Sequence, residues 1–162
     1  MRPSEKLERL NRLASSDARH PALRALADDL WRAATAAGDP HRAYLQLIHT
    51  VARDWVRYET DTQRVGHEDI AGMTRQPENP LTVLWRGWDD CDAKARLFVA
   101  LARARGIVAR VEGEVVGDEL THVWPEYWDG RWMPAETTLA RARLGDVPRQ
   151  VPKERNGQWL YS

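Results

Sequence analysis

Gly87-Trp88-Asp89-Asp90-Cys91-Asp92-Ala93-Lys94-Ala95-Arg96 decides how this chain is read. An acidic turn runs straight into strongly helical sequence, and Cys91, the single cysteine among 162 residues, falls at the start of the expected helix. Helix N-terminal amides favour a thiolate, which makes that position suit a nucleophile. Asp89, Asp90 and Asp92 act the other way, because neighbouring carboxylates disfavour a second negative charge; helix capping or contact with substrate amines gives them other uses. Taken alone, a free cysteine is more often a small packed residue than a reactive one. Its company reverses that weighting: Thr121-His122-Val123-Trp124 supplies a base and Pro134-Ala135-Glu136-Thr137-Thr138 a carboxylate.

Downstream of Cys91 the sequence is rich in alanine, leucine and arginine as far as Arg105, with Leu97, Phe98, Leu101 and Ala104 on the inward face and Gly106 ending the helix. Alternation from Ile107 to Glu112 predicts a strand, Gly117-Asp118 a turn, Leu120 to Tyr127 a second strand, and Arg131 to Glu136 a returning strand after Asp129-Gly130. Upstream, three helices are expected. The first runs from about Ser4, its cap, to Ala14; the second runs from Pro21 to Gly38. The third is capped by Asp39 and carries Tyr44, Leu47, Ile48, Val51 and Trp55 on one face. Residues 59–80 read as a long loop and Leu81 to Trp85 as a helical turn. Helices first and an antiparallel sheet afterwards define an α+β domain, with the Cys91 helix packed on the sheet. The division expected is a helical region over 1–58, a catalytic core over 59–146 and an irregular tail over 147–162, together one compact domain.

Composition excludes several classes. Twenty-four Lys and Arg balance 24 Asp and Glu, so no net field draws the chain to nucleic acid or to a membrane surface. No apolar run reaches the roughly 20 residues that span a bilayer, and the expected location is cytoplasmic. One cysteine makes neither an internal disulfide nor a multi-thiolate metal site, and no metal or cofactor is expected. His20, His41, His49 and His67 lack ligand spacing and are read as solvated or locally bonded.

Strand register links His122 to Glu136. A two-residue loop of Asp129 and Gly130 pairs Trp128 with Arg131, which puts Thr137 opposite His122 and Glu136 on the other face. A three-residue loop, Trp128-Asp129-Gly130, with Gly130 left-handed and a bulge, pairs Tyr127 with Arg131 and sets Glu136 opposite His122. Their Cβ atoms are then about 4.5–5.5 Å apart, within reach of a carboxylate that orients the imidazole. A second group must stabilise an oxyanion beside the Cys91 amide. Trp85, Trp88, Gln63 and Gln76 are the alternatives, and Trp85, Trp88, Asp90 and Trp124 are candidate walls of a substrate groove.

Asp90-Cys91-Asp92-Ala93-Lys94-Ala95, with Leu101-Ala102-Arg103-Ala104-Arg105-Gly106-Ile107-Val108-Ala109-Arg110-Val111 after it, resembles the transglutaminase-like superfamily. His122-Val123-Trp124-Pro125-Glu126-Tyr127 and Trp132-Met133-Pro134-Ala135-Glu136-Thr137-Thr138 resemble that family's histidine strand and its Trp-x-Pro-x-Asp-x-Thr segment. The resemblance covers about residues 69–138. It implies a papain-like fold, Cys91, His122 and Glu136 at the triad positions, and cysteine-dependent acyl transfer on a protein or peptide substrate, by hydrolysis or cross-linking. Asp89 stands where the family motif commonly has glycine, and Glu136 replaces the usual aspartate. With Glu68-Asp69-Ile70 ahead of the motif, the domain also resembles members from bacteria and from phages or prophages. The alternative is therefore a non-catalytic, virion-associated module that binds a structural partner.

Overall fold

The N-terminal half forms three helices because proline and capping residues punctuate an apolar 3.6-residue pattern. In the computed structural model, which describes residues 1–58 and 80–148 together with the backbone of 154–155 and 158–159, these are α1 (Pro3–Ala18), α2 (Pro21–Ala34) and α3 (Pro40–Thr50). The capping residue of α1 is Arg2 rather than Ser4: the Glu5 carboxylate accepts from the Arg2 amide at 2.9 Å, and Ser4 falls inside the first turn. His20 caps α2 through its ring, and Asp39 caps α3 by accepting from the Arg42 amide at 3.1 Å. Helix α2 stops at Ala34, four residues short of Gly38.

Helix α3 widens into a π turn over Val51–Trp55. The extra residue per turn rotates the end of the helix about its axis, so Tyr44, Ile48 and Val51 are buried while Trp55, expected on the same face, is 55% exposed. Beyond it come β1 (Arg57–Tyr58), α4 (Pro80–Arg86), β2 (Trp88–Asp89), α5 (Cys91–Ala104), β3 (Ala109–Val116), β4 (Glu119–Trp128) and β5 (Trp132–Pro134). Most of the expected 59–80 loop, including Gln63 and Gln76, lies outside the described residues, and Trp88 is described by its backbone alone. Two-residue strands β6 (Glu154–Arg155) and β7 (Gln158–Trp159) pair antiparallel near the C-terminus.

Among the described residues, five α-helices and a three-stranded antiparallel sheet, ordered β3-β4-β5, make a mixed α+β domain. Helix α5 is its centre. It packs on β3 and β4 on one side and on α1, α2 and α3 on the other, so every residue from Lys94 to Ala102 is buried. Several large polar groups brought into that interior are paired. The Tyr44 hydroxyl donates to the Leu101 carbonyl at 2.6 Å, and the Arg96 guanidinium forks onto Asp17 at 2.5 and 2.8 Å, tying the end of α1 to α5. The Asn11 amide acts as a further rung on the outer edge of β3, donating to the Val111 carbonyl at 3.0 Å and accepting from its N–H at 2.9 Å.

Candidate active site

Cys91 opens α5, which places its amide among the helix N–H groups without an intrahelical acceptor. Asp90 is the capping residue, its carboxylate accepting from the Ala93 amide at 3.1 Å. Asp89, standing where glycine is common in the resembling motif, is turned inward. It is 3% exposed, pairs with Arg86, accepts from the Asp90 amide at 2.8 Å and takes no part in the pocket at the thiol. That pocket has a volume of about 200 Å³; Cys91, His122, Asp90 and Asp92 lie in its wall with Val123 and Leu120 from β4. Lys6 and Tyr58 complete the described lining.

The imidazole comes to the same pocket by a fault in the strand pairing. Glu114 pairs with His122 and Val115 with Leu120, so Thr121 is an extra residue that bulges β4 immediately before the histidine. Gly113 makes room for this: a Cβ there would meet Leu120 Cδ1 at 2.6 Å and the His122 carbonyl oxygen at 3.0 Å. A methyl group at position 113 would turn the Leu120 side chain aside and press on the backbone of His122.

Glu136 meets His122 at 2.6 Å, Oε2 to Nε2, although neither register anticipated from the sequence is formed. The turn is a three-residue loop moved on by one position, Asp129-Gly130-Arg131, with Gly130 at φ 73° and Trp128 paired with Trp132. An Ala135 N–H to Pro125 carbonyl bond of 2.8 Å carries that register one step further. Glu136 thus follows on the His122 face, one diagonal position away and opposite Trp124 rather than opposite the histidine. Diagonal neighbours are within reach of long side chains, and the additional methylene of glutamate relative to aspartate lengthens that reach. The carboxylate is fully buried, and its Oε1 accepts from the Thr138 amide at 2.8 Å.

Two further residues hold this carboxylate's surroundings. His49 is 4% exposed and its Nε2 lies 2.7 Å from the Glu136 carbonyl oxygen, a bond from α3 to a residue 87 positions on. The expectation of a solvated or locally bonded side chain fails at His49, whose ring also meets Phe98 edge-on. Burial pushes its pKa down, so it is held as the neutral ring that donates Nε2–H to the carbonyl. Lys94, one turn along from Cys91, is fully buried and donates to the carbonyls of Arg53, at 2.8 Å, and Val56, satisfying the end of the π turn. Burial pushes it down to about 7 against the opposing pull of Asp54 and Glu136.

The thiol is tuned opposite to expectation. Burial pushes it well above its ordinary range, the Asp92 and Asp90 charges add to that, and the Val123 backbone amide and Lys6 only partly offset them. Its Sγ lies 3.8 Å from Asp92 Oδ1, to which the thiol donates. Asp92 in turn pairs with Lys6 at 2.7 Å. Burial works against the Lys6 charge, but Asp92 outweighs it and the ammonium is strengthened. The helix N-terminus is therefore not enough to make a resting thiolate here.

Of the groove candidates, Asp90 is at the pocket. Trp124 is buried and backs the imidazole, its ring centroid 5.9 Å from that of His122, while Trp85 stands 90% exposed on α4 outside the described wall. Lys6 and His49 were not foreseen. Each acts across more than 80 residues of sequence, and neither carries a local pattern that marks it. Among the described residues no His, Cys, Asp and Glu group is arranged to hold a metal, and no helix is long and apolar enough to cross a membrane.

The bond from His49 gives a pH-dependent expectation. His49→Phe keeps a ring against Phe98 but leaves the Glu136 carbonyl without its donor, a loss of about 1–3 kcal/mol at neutral pH. Because the native pKa lies below the unfolded one, the unfolded chain takes up the proton first as pH falls. The stability His49 contributes is complete above the unfolded pKa near 6.5 and declines on acidification toward the native value. Urea unfolding at about pH 7.5 and about pH 5.5 should therefore show the gap between wild type and variant narrowing at the lower pH. A gap that widens there would contradict a neutral His49.

A mixed α+β fold centred on a helix that begins with cysteine, beside a sheet whose middle strand offers a carboxylate-bound histidine, defines the architecture of a thiol-dependent acyltransferase or peptidase class. The family model of the Transglutaminase-like superfamily matches residues 24–137, and the chain belongs to that superfamily. The match takes in most of α2 and all of α3 as well as the segment from Cys91 to Glu136. None of the curated proteins compared matches the chain.

Proposed function

We propose that the chain is a cysteine-dependent acyl-transfer enzyme acting on amide or peptide bonds of a protein or peptide, with Cys91 as nucleophile, His122 as acid and base, and Glu136 as the group that orients His122. The observation that carries this is the His122–Glu136 bond of 2.6 Å on a histidine that shares a pocket with the thiol. Nε2 is held by Glu136, which leaves Nδ1 to take the proton of the Cys91 thiol. Since the thiol rests protonated, its proton leaves as sulfur attacks the carbonyl carbon, rather than from a standing ion pair.

As the C–S bond forms, the carbonyl oxygen becomes an oxyanion facing the Cys91 amide, and the imidazolium then passes its proton to the leaving amine as the C–N bond breaks. Water or a second amine, deprotonated by His122, attacks the thioester and returns the thiol. With water the product is an acid; with an amine it is a new amide. The buried Glu136 carboxylate stabilises the imidazolium in both halves.

A glutamine-containing dipeptide offered with hydroxylamine, and the same dipeptide in water alone, tests the reading. Hydroxamate or ammonia release that iodoacetamide abolishes supports it; identical rates before and after alkylation of Cys91 oppose it. The raised thiol pKa favours one second reading, a transglutaminase-like module used for binding, with a phage or prophage structural protein as partner. That reading expects no turnover with any acceptor.

A further inference from the structure

Behind the Glu136 backbone, on the side reached from α3, lies a second and larger cavity of about 520 Å³, within the range of small-molecule sites. Arg42, Arg53 and Arg143 converge on it with the hydroxyl of Thr50 and the amide of Gln46. The opposing charge in the described wall is Asp146 alone, whose Oδ2 accepts from the Arg143 backbone amide at 2.8 Å. Three guanidinium groups face that one carboxylate, and with Asp54, which pairs with Arg53, counted as well, one positive charge is left in excess in a chain whose formal net charge is zero.

The three arginines are not equivalent. Arg53 is committed to the protein, with Nε and Nη2 on Asp54 at 2.6 and 2.7 Å and Nη1 on the Ala142 carbonyl at 2.7 Å. Arg42 and Arg143 form no side-chain hydrogen bond or ion pair with any described residue. Their planar forks are matched to oxyanions, which they grip with paired N–H donors. His49 also belongs to the wall; its Nε2 is bound to Glu136, and its Nδ1 has no partner among the described residues.

We infer that this cavity binds a small, multiply charged oxyanion, held by Arg42 and Arg143 with Gln46 and Thr50 as neutral partners. Phosphate and polycarboxylate share the chemistry required, and their geometry suits the same forks. The site is separate from the pocket at Cys91, so it stands or falls independently of the proposed acyl transfer.

Thermal unfolding of the full chain in inorganic phosphate, in citrate and in chloride of matched ionic strength tests the inference, with the Arg42→Ser/Arg143→Ser double variant beside wild type. Both arginines are exposed and neither side chain bonds to a described residue, so the variant is expected to fold. Saturating phosphate or citrate should raise the wild-type Tm by several degrees over chloride and leave the variant unmoved. A shift with phosphate alone identifies a phosphoryl ligand, and one with citrate alone identifies a carboxylate ligand. No shift over chloride in wild type, or an equal shift in the double variant, overturns the site.

Discussion

Cys91→Ala is expected to abolish acyl transfer, and His122→Ala to lower kcat/KM by about 10²–10⁴, the range by which a positioned acid–base group speeds such reactions. The second substitution is the more informative because the thiol survives it. His122 binds Glu136, so its loss also leaves a fully buried carboxylate with the Thr138 amide as its remaining hydrogen-bond donor among the described residues. A stability loss therefore accompanies the rate loss, and the two must be separated. His122→Gln retains a donor for Glu136 but no group that accepts and returns a proton near neutral pH. Activity should fall as far as in His122→Ala while urea stability stays nearer wild type. If His122→Gln kept most of the activity, the imidazole would not be the proton carrier.

Asp17→Ala is expected to destabilise the fold by about 3–5 kcal/mol, the usual consequence of stranding a buried charge. The Arg96 side chain is 5% exposed and Asp17 is its fork partner, so the variant leaves a guanidinium in the interior without that carboxylate. The loss exceeds what an exposed ion pair gives, about 0–1 kcal/mol, because solvent does not replace the missing partner. Asp17→Leu combined with Arg96→Met removes both charges and should recover much of it. Denaturant unfolding of the two variants measures the difference. Equal destabilisation by single and double substitution would show that the pair acts through packing rather than through burial of charge.

What the sequence made legible was local or periodic. Cys91 ahead of an alanine- and leucine-rich run, and His122 inside an alternating strand, carry their own positions, and the apolar spacing of α3 gave its buried face as far as Val51. The π turn that exposes Trp55 has no such mark, because one residue more per turn leaves composition unchanged. At the hairpin, Asp129-Gly130 announces a turn without stating which residues flank it, and a shift of one position decides which side chain faces His122. The structure resolves this by a diagonal contact that the longer glutamate reaches.

Long-range partners were invisible for a different reason. Lys6 against Asp92, His49 against Glu136 and Lys94 against the carbonyls of the π turn join segments whose adjacency exists only after folding. Lys94 and Arg96 look like surface residues of a helix in sequence, yet α5 is covered on all sides and both are buried. At the start of the helix, where Cys91 is half-buried in the pocket wall, burial and two aspartates outweigh the helix N-terminus and reverse its expected effect on the thiol.

If Cys91 reacts with the help of His122, acylation by an activated ester depends on both residues. Wild type, His122→Ala and Cys91→Ala are mixed with p-nitrophenyl acetate, nitrophenolate release is followed in the first turnover, and the acetylated residue is located by mass spectrometry. A single acetyl group is expected on Cys91, formed on the order of 100-fold more slowly in His122→Ala and not at all in Cys91→Ala. Acetylation of Cys91 at the same rate with and without the imidazole would contradict that dependence.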